Sequence, residues 1–137
     1  MKKEMEIEAL PDNFEEVVIF VEDQLEGTAC PNKVKMQLKL AIEEIFVNIA
    51  HYAYGEETGT AKVVSELDSE QGKLKVRFID QGIPFDPLKK EDPNTNLTIE
   101  DRQVGGLGIF LVKKLMDKVE YEYSDGCNIL TITKCIL

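Results

Sequence analysis

Two short turn signals constrain this chain more than any other feature. Asp68-Ser69-Glu70-Gln71-Gly72 and Ser124-Asp125-Gly126 each sit between two runs with strand-like character. Residues 60–67 and 73–79 flank the first signal. In the second of these runs Leu74, Val76 and Phe78 share one face, and Lys75 and Arg77 the other. Residues 119–123 and 128–135 flank the second signal. Strands joined by so few residues pair antiparallel, because parallel neighbours need a crossover of a dozen residues or more. The regular alternation of strand and crossover helix that a doubly wound sheet requires is missing.

The remaining segments are helical or irregular. Residues 3–9 alternate apolar and charged, as a half-buried strand does. Pro11-Asp12-Asn13 predicts a turn and a helix cap. Phe14, Val17, Val18, Val21 and Leu25 then fall on one helical face, which Gly27 ends. A second helix is expected from Pro31-Asn32 to about Ala53, with Val34, Leu38, Ala41, Ile42, Ile45 and Ile49 as its stripe and Gly55 as its stop. A third is expected from about Leu107 to Lys118. Between the second hairpin strand and that helix, residues 81–104 hold three prolines and a polar run. A long structureless segment inside a compact domain is usually functional, often a lid. The order β-α-α-β-β-lid-α-β-β gives an α+β chain. Its architecture is a two-layer α/β sandwich, with a mixed, mostly antiparallel sheet and helices on one face.

At 137 residues the chain fits one domain, 1–137, large enough to bury a core without disulfides or structural metal. The net charge of −10 disfavours nucleic acid as a partner and favours a basic protein surface. Three cysteines without C-x-x-C spacing, and one histidine, supply no zinc site. The cysteines read as reduced, mostly buried thiols. No apolar run approaches the ~18 residues of a membrane span, and Met5, Ile7 and Ala9 are too interrupted by glutamates for a signal peptide. A cytoplasmic protein is expected.

Three motifs could carry chemistry. Glu44 and Asn48 are i, i+4 on one helix face, offset from the apolar stripe. A carboxylate beside a carboxamide offers oxygens to Mg²⁺, and the carboxylate can also take a proton. Asp80-Gln81-Gly82 ends a strand, where a carboxylate can accept from an exocyclic amine and a glycine admits a flat ring. Gly105-Gly106-Leu107-Gly108 opens a helix, where backbone amides and the helix dipole suit phosphates. It is neither a Walker loop nor a G-x-G-x-x-G fingerprint. Each motif has an ordinary structural explanation: a solvated helix face, a strand-ending turn, a hinge before a core helix. His51, Tyr52 and Tyr54 are expected to pack or cap and not to bind.

Taken in order, E-x-x-x-N on a helix, D-x-G at a strand end, a lid, and G-G-L-G at a helix start resemble the Bergerat ATP-binding fold of gyrase, sensor histidine kinases and heat-shock chaperones. More narrowly, the stretches 44–54, 80–86 and 106–112 resemble the anti-sigma-factor serine/threonine kinases of bacteria, and the likeness runs over about residues 5–135. The resemblance implies that Asn48 coordinates Mg²⁺, that Glu44 is the catalytic base, and that Asp80 accepts from the adenine amine with Gly82 giving room. It implies that Gly105, Gly106, Leu107 and Gly108 line the phosphates of ATP under the lid. It also implies a sigma factor and a small antagonist protein as partners, and a homodimer. Two positions depart from the pattern. Pro84 replaces a second glycine, and Val104 stands where such kinases carry an arginine, the nearest being Arg102. The alternative reading is therefore a non-catalytic, nucleotide-dependent protein-binding module.

Overall fold

A computed structural model describes residues 1–55, 57–89 and 106–136. The expected lid from residue 90 onward, with Arg102, Val104 and Gly105, lies outside the described residues.

Strand β1 (Lys2–Glu8) is followed by a 3-10 turn at Pro11–Asn13 and helix α1 (Phe14–Leu25). Helix α2 (Asn32–Tyr52) leads into the hairpin of β2 (Thr60–Asp68) and β3 (Lys73–Asp80). Helix α3 (Gly106–Leu115) precedes the second hairpin, β4 (Lys118–Ser124) and β5 (Cys127–Cys135). The five strands form one sheet in the order β1-β2-β3-β5-β4, and every pairing is antiparallel. The sheet is thus wholly antiparallel among the described residues, without the mixed character the sequence left open.

Both hairpins follow from their turn residues. Asp125 and Gly126 have φ of 54° and 78°, the pair of left-handed residues that a two-residue hairpin with the native twist demands. In the longer turn, Asp68 Oδ1 accepts from the Glu70 and Gln71 amides at 3.1 Å each, and Gly72 takes φ 65°. Alternation then sends one row of side chains inward. Met5, Val63, Phe78 and Leu130 lie in register across four strands, and Phe78 is fully buried. Helix α2 buries Leu38, Ala41, Ile42, Ile45 and Phe46 against this row, each large side chain contributing roughly 1.5–3 kcal/mol. The opposite face of the sheet is polar, with exposed pairs such as Lys62–Glu4 at 3.3 Å and Arg77–Glu66 at 3.8 Å. Helices on one face of a sheet are what the sequence predicted.

Four expectations need correction. Asn13 does not cap α1: its side-chain amide donates back to Glu8 O at 3.0 Å, and the 3-10 turn supplies the entry instead. Helix α3 ends at Leu115, three residues early, because the Asp117 amide already bonds Thr133 O at 3.0 Å and draws the chain into the sheet. The cysteines are not mostly buried. Cys30 is buried, Cys127 half-buried and Cys135 exposed, since β5 alternates at the sheet's edge turn and its end. Residues 81–89 are not structureless either. They form a loop bonded to the neighbouring strand and helix, then a 3-10 turn at Pro87–Lys89.

A candidate nucleotide site at the open end of the sheet

Asp80 is the last residue of an otherwise apolar inward row, Leu74, Val76 and Phe78, and it is only 6 % exposed. Its register partner on β5 is Asn128, 7 % exposed and equally the polar end of a row, before Leu130 and Ile132. A buried carboxylate must find donors. Asp80 Oδ1 accepts from the Gly82 amide at 2.9 Å and from Asn128 Nδ2 at 2.9 Å.

Asn128 organises the whole loop after β3. Its Nδ2 also faces Ile83 O at 2.9 Å and Gly82 O at 3.5 Å, and its Oδ1 accepts from the Phe85 amide at 3.1 Å and from the Tyr121 hydroxyl. Burial, ahead of the nearby Asp86 and Asp80 carboxylates, pushes the Tyr121 phenol up and keeps it a donor. The loop is fixed from the other side by the end of α2. Ile83 N donates to Ala53 O at 2.8 Å, and the Tyr54 hydroxyl accepts from Gln81 N at 2.9 Å while donating to Thr60 O at 2.6 Å.

Gly82 acquires a specific reason here. A Cβ on it would lie 2.1 Å from Ala53 O, so the close approach it permits is to the end of α2.

These residues line a cavity of about 260 Å³. Its walls are Ile45, Ile49, Ile83, Phe85, Ile109 and Leu130, and its polar groups are chiefly Asp80, Asn128, Asn48 and the Tyr121 side chain. A mostly apolar slot with a few convergent polar groups is what a flat heterocycle with one exocyclic amine needs.

Asn48 carries the site towards α3. Glu44 and Asn48 share the side of α2 that meets the first turn of α3, as the i, i+4 spacing predicted. A Cβ placed on Gly108 would lie 2.6 Å from Glu44 Oε2 and 3.5 Å from Asn48 Nδ2. Burial, with Glu43 beside it as the second cause, holds the Glu44 carboxyl above the usual range. Gly106 and Leu107 are the first residues of α3. The structure therefore brings Glu44, Asn48, Asp80, Gly82 and Gly108 around one end of the sheet. Gly105 lies outside the described residues. His51 is exposed beside the Tyr52 ring at 6.0 Å and takes no part in the cavity. Among the described residues no cluster of three or more His, Cys, Asp or Glu side chains could hold a metal by itself.

Sequence reasoning missed Asn128, Tyr121 and the buttressing role of Tyr54. A usable signal existed for Asn128. It is an amide at the head of an otherwise apolar inward row, before Leu130 and Ile132.

Residues 7–134 match the family model described as the histidine kinase-like ATPase domain. The chain belongs to that family. It is similar to the serine-protein kinase RsbW of Listeria innocua at 36 % identity, over 72 % of this chain and 64 % of that protein. The RsbW of one Bacillus cereus strain is 32 % identical, with 62 % of that protein covered. The match thus spans less than two thirds of these relatives. A crystal structure of the RsbU and RsbW domains of a Mycobacterium tuberculosis protein superposes with a TM-score of 0.67 at 14 % identity, covering 98 % of this chain and 32 % of that one. At that identity the likeness is one of fold. Together they bear out the fold and the family that the sequence motifs suggested. No helix among the described residues is long and apolar enough to cross a membrane.

Proposed function

We propose that the chain binds Mg-ATP in this cavity and transfers its terminal phosphoryl group to a serine or threonine of a small protein. The observation that carries the nucleotide reading is the Asp80 carboxylate. It is buried in an apolar slot with one oxygen held by two donors, which leaves the other to accept from an exocyclic amine. The similarity to proteins named serine-protein kinase supports the phosphoryl-transfer half.

In this reading the base lies between the apolar walls against Asp80. The phosphates extend past Asn48 towards the N-terminal turn of α3, where the helix dipole favours anions. Mg²⁺, when bound, neutralises phosphate charge. The donor set fits it, since Mg²⁺ prefers oxygens, keeps several waters and needs few protein ligands. The Asn48 carbonyl oxygen, with Glu44 nearby, supplies such donors. Glu44 accepts the proton of the attacking hydroxyl. Its raised pKa brings it nearer neutral pH, where a general base is most effective. The partners in this proposal are a sigma factor, held by a surface of opposite charge to this acidic chain, and an antagonist that receives the phosphate. A cytoplasmic homodimer is part of the same reading. Val104, in place of an arginine that would reach the γ-phosphate, favours the second reading: a nucleotide-dependent binding module without transfer.

Calorimetric titration with ATP and ADP, with and without Mg²⁺, tests the binding half. Mg²⁺-dependent ATP affinity that falls at least roughly tenfold in Asn48→Ala, about 1.4 kcal/mol, is expected. No heat at millimolar nucleotide would sink the proposal. Phosphate appearing on an acceptor, and lost in Glu44→Ala with ATP binding retained, excludes the pure binding module.

A further inference from the structure

Gly108 lies within α3 and is absent from the residues with positive φ, so nothing in its own backbone requires glycine. Alanine is the better helix former there. What excludes a side chain is a neighbour on another helix. A β-carbon at 108 would come within 2.6 Å of Glu44 Oε2 and 3.6 Å of Glu44 Cδ, and only 3.5 Å of Asn48 Nδ2. The first distance is shorter than any tolerable contact, whereas the others are ordinary. The clash is with the far end of a flexible side chain, which can swing aside without disturbing the fold. Among the described residues no hydrogen bond fixes the Glu44 carboxylate, and its Oε2 lies beside this bare stretch of helix.

We propose that Gly108 is a positioning residue for Glu44: the missing side chain seats the carboxylate, and any β-carbon there displaces it. This assigns the second glycine of the G-L-G turn to the proton-accepting group and not to the phosphates. The proposal rests on the phosphoryl-transfer reading for its effect on turnover, but not for its effect on the nucleotide-free protein. If the glycine serves instead to let phosphate approach the backbone, a methyl group would weaken nucleotide binding whatever stands at position 44.

A double-mutant cycle of Gly108→Ala and Glu44→Ala separates the two, because only contacting residues show coupling. In the nucleotide-free protein, Gly108→Ala in the Glu44→Ala background should raise the thermal midpoint by about 3–5 °C, the helix preference of alanine in a domain of this size. In the wild-type background the rise should be less than half of that, or negative. Gly108→Ala alone should keep ATP affinity, by calorimetry, within about threefold, while transfer of the γ-phosphoryl to water in the absence of an acceptor protein, read as phosphate release, falls roughly tenfold or more. Added to Glu44→Ala, it should cause no further loss of turnover, the non-additivity expected when one residue acts through another. Equal thermal shifts in both backgrounds overturn the proposal. So does a tenfold loss of ATP affinity that persists without Glu44. A wild-type protein that transfers phosphate neither to water nor to a serine or threonine acceptor contradicts the phosphoryl-transfer reading alone, and the thermal cycle still decides the seating of Glu44.

Discussion

The two sides of the candidate site are built on opposite principles. At the Asp80 end, polar groups from β3, β5, β4 and the end of α2 converge, and Asn128 alone engages Asp80, Ile83, Phe85 and Tyr121. Position there is over-determined by directional bonds in a buried setting, where an unmet group is expensive. At the Glu44 end, two helices meet, and a carboxylate rests against a glycine with its pKa raised by burial. The first end suits rigid recognition of a flat group. The second suits a group that must exchange a proton and tolerate a changing charge beside it.

The most severe way to break the rigid end is Asn128→Asp. It keeps the volume but sets a second carboxylate against Asp80 and the Ile83 and Gly82 carbonyls. A loss of about 3–4 kcal/mol in urea unfolding is expected at pH 7, smaller at pH 4 where one carboxyl takes up a proton. If the loss is the same at both pH values, charge is not what matters at that position.

Gly82→Ala attacks the same end through the backbone. The new methyl would meet Ala53 O, which cannot swing aside as a side chain can. A destabilisation of about 1–3 kcal/mol is expected, with the Ile83–Ala53 hydrogen bond lost. Protection of the Ile83 amide in hydrogen exchange reports this directly, and unchanged protection would contradict it.

Glu44→Gln sharpens the other side of the comparison and should barely touch the fold. The folded-state pKa of Glu44 is raised, so ionising it costs the folded state more than the unfolded one. Stability should therefore decline as pH rises from the ordinary glutamate value near 4.5 through the raised one. The amide removes that decline. Glu44→Gln should have a higher thermal midpoint than wild type at pH 7 and no advantage near pH 4. Phosphoryl transfer by the wild type, to water or to an acceptor protein, should have its acid limb above the ordinary glutamate range, and the variant should have neither limb nor turnover. An advantage independent of pH would mean that burial does not perturb this carboxyl.

Much of the molecule was legible locally. The hairpins were readable because Asp-Gly and Gly impose left-handed φ at fixed points, and the helices because apolar residues recur at the helical period. Asp80 was legible too, as the carboxylate of Asp80-Gln81-Gly82 at a strand end. Asn13 misled, because a residue with a capping side chain was placed beside a 3-10 turn that made the cap unnecessary. The end of α3 misled because Asp117 belongs to the sheet, a fact of pairing that helical periodicity cannot register.

What the sequence determined by itself is therefore what a period of 3.6 or 2 residues can specify: the elements, the faces they bury, and Glu44 above Asn48 on one helix. Only the tertiary structure decided that β5 inserts between β3 and β4. That pairing sets Asn128 opposite Asp80 across 48 residues of chain, and the packing of α2 on the loop after β3 and on α3 sets Ala53 beside Gly82 and Glu44 against Gly108. Backbone geometry fixes local period for any chain of L-residues. Which distant strands pair, and in which register, is settled by the burial of whole faces against the entropy of closing long loops.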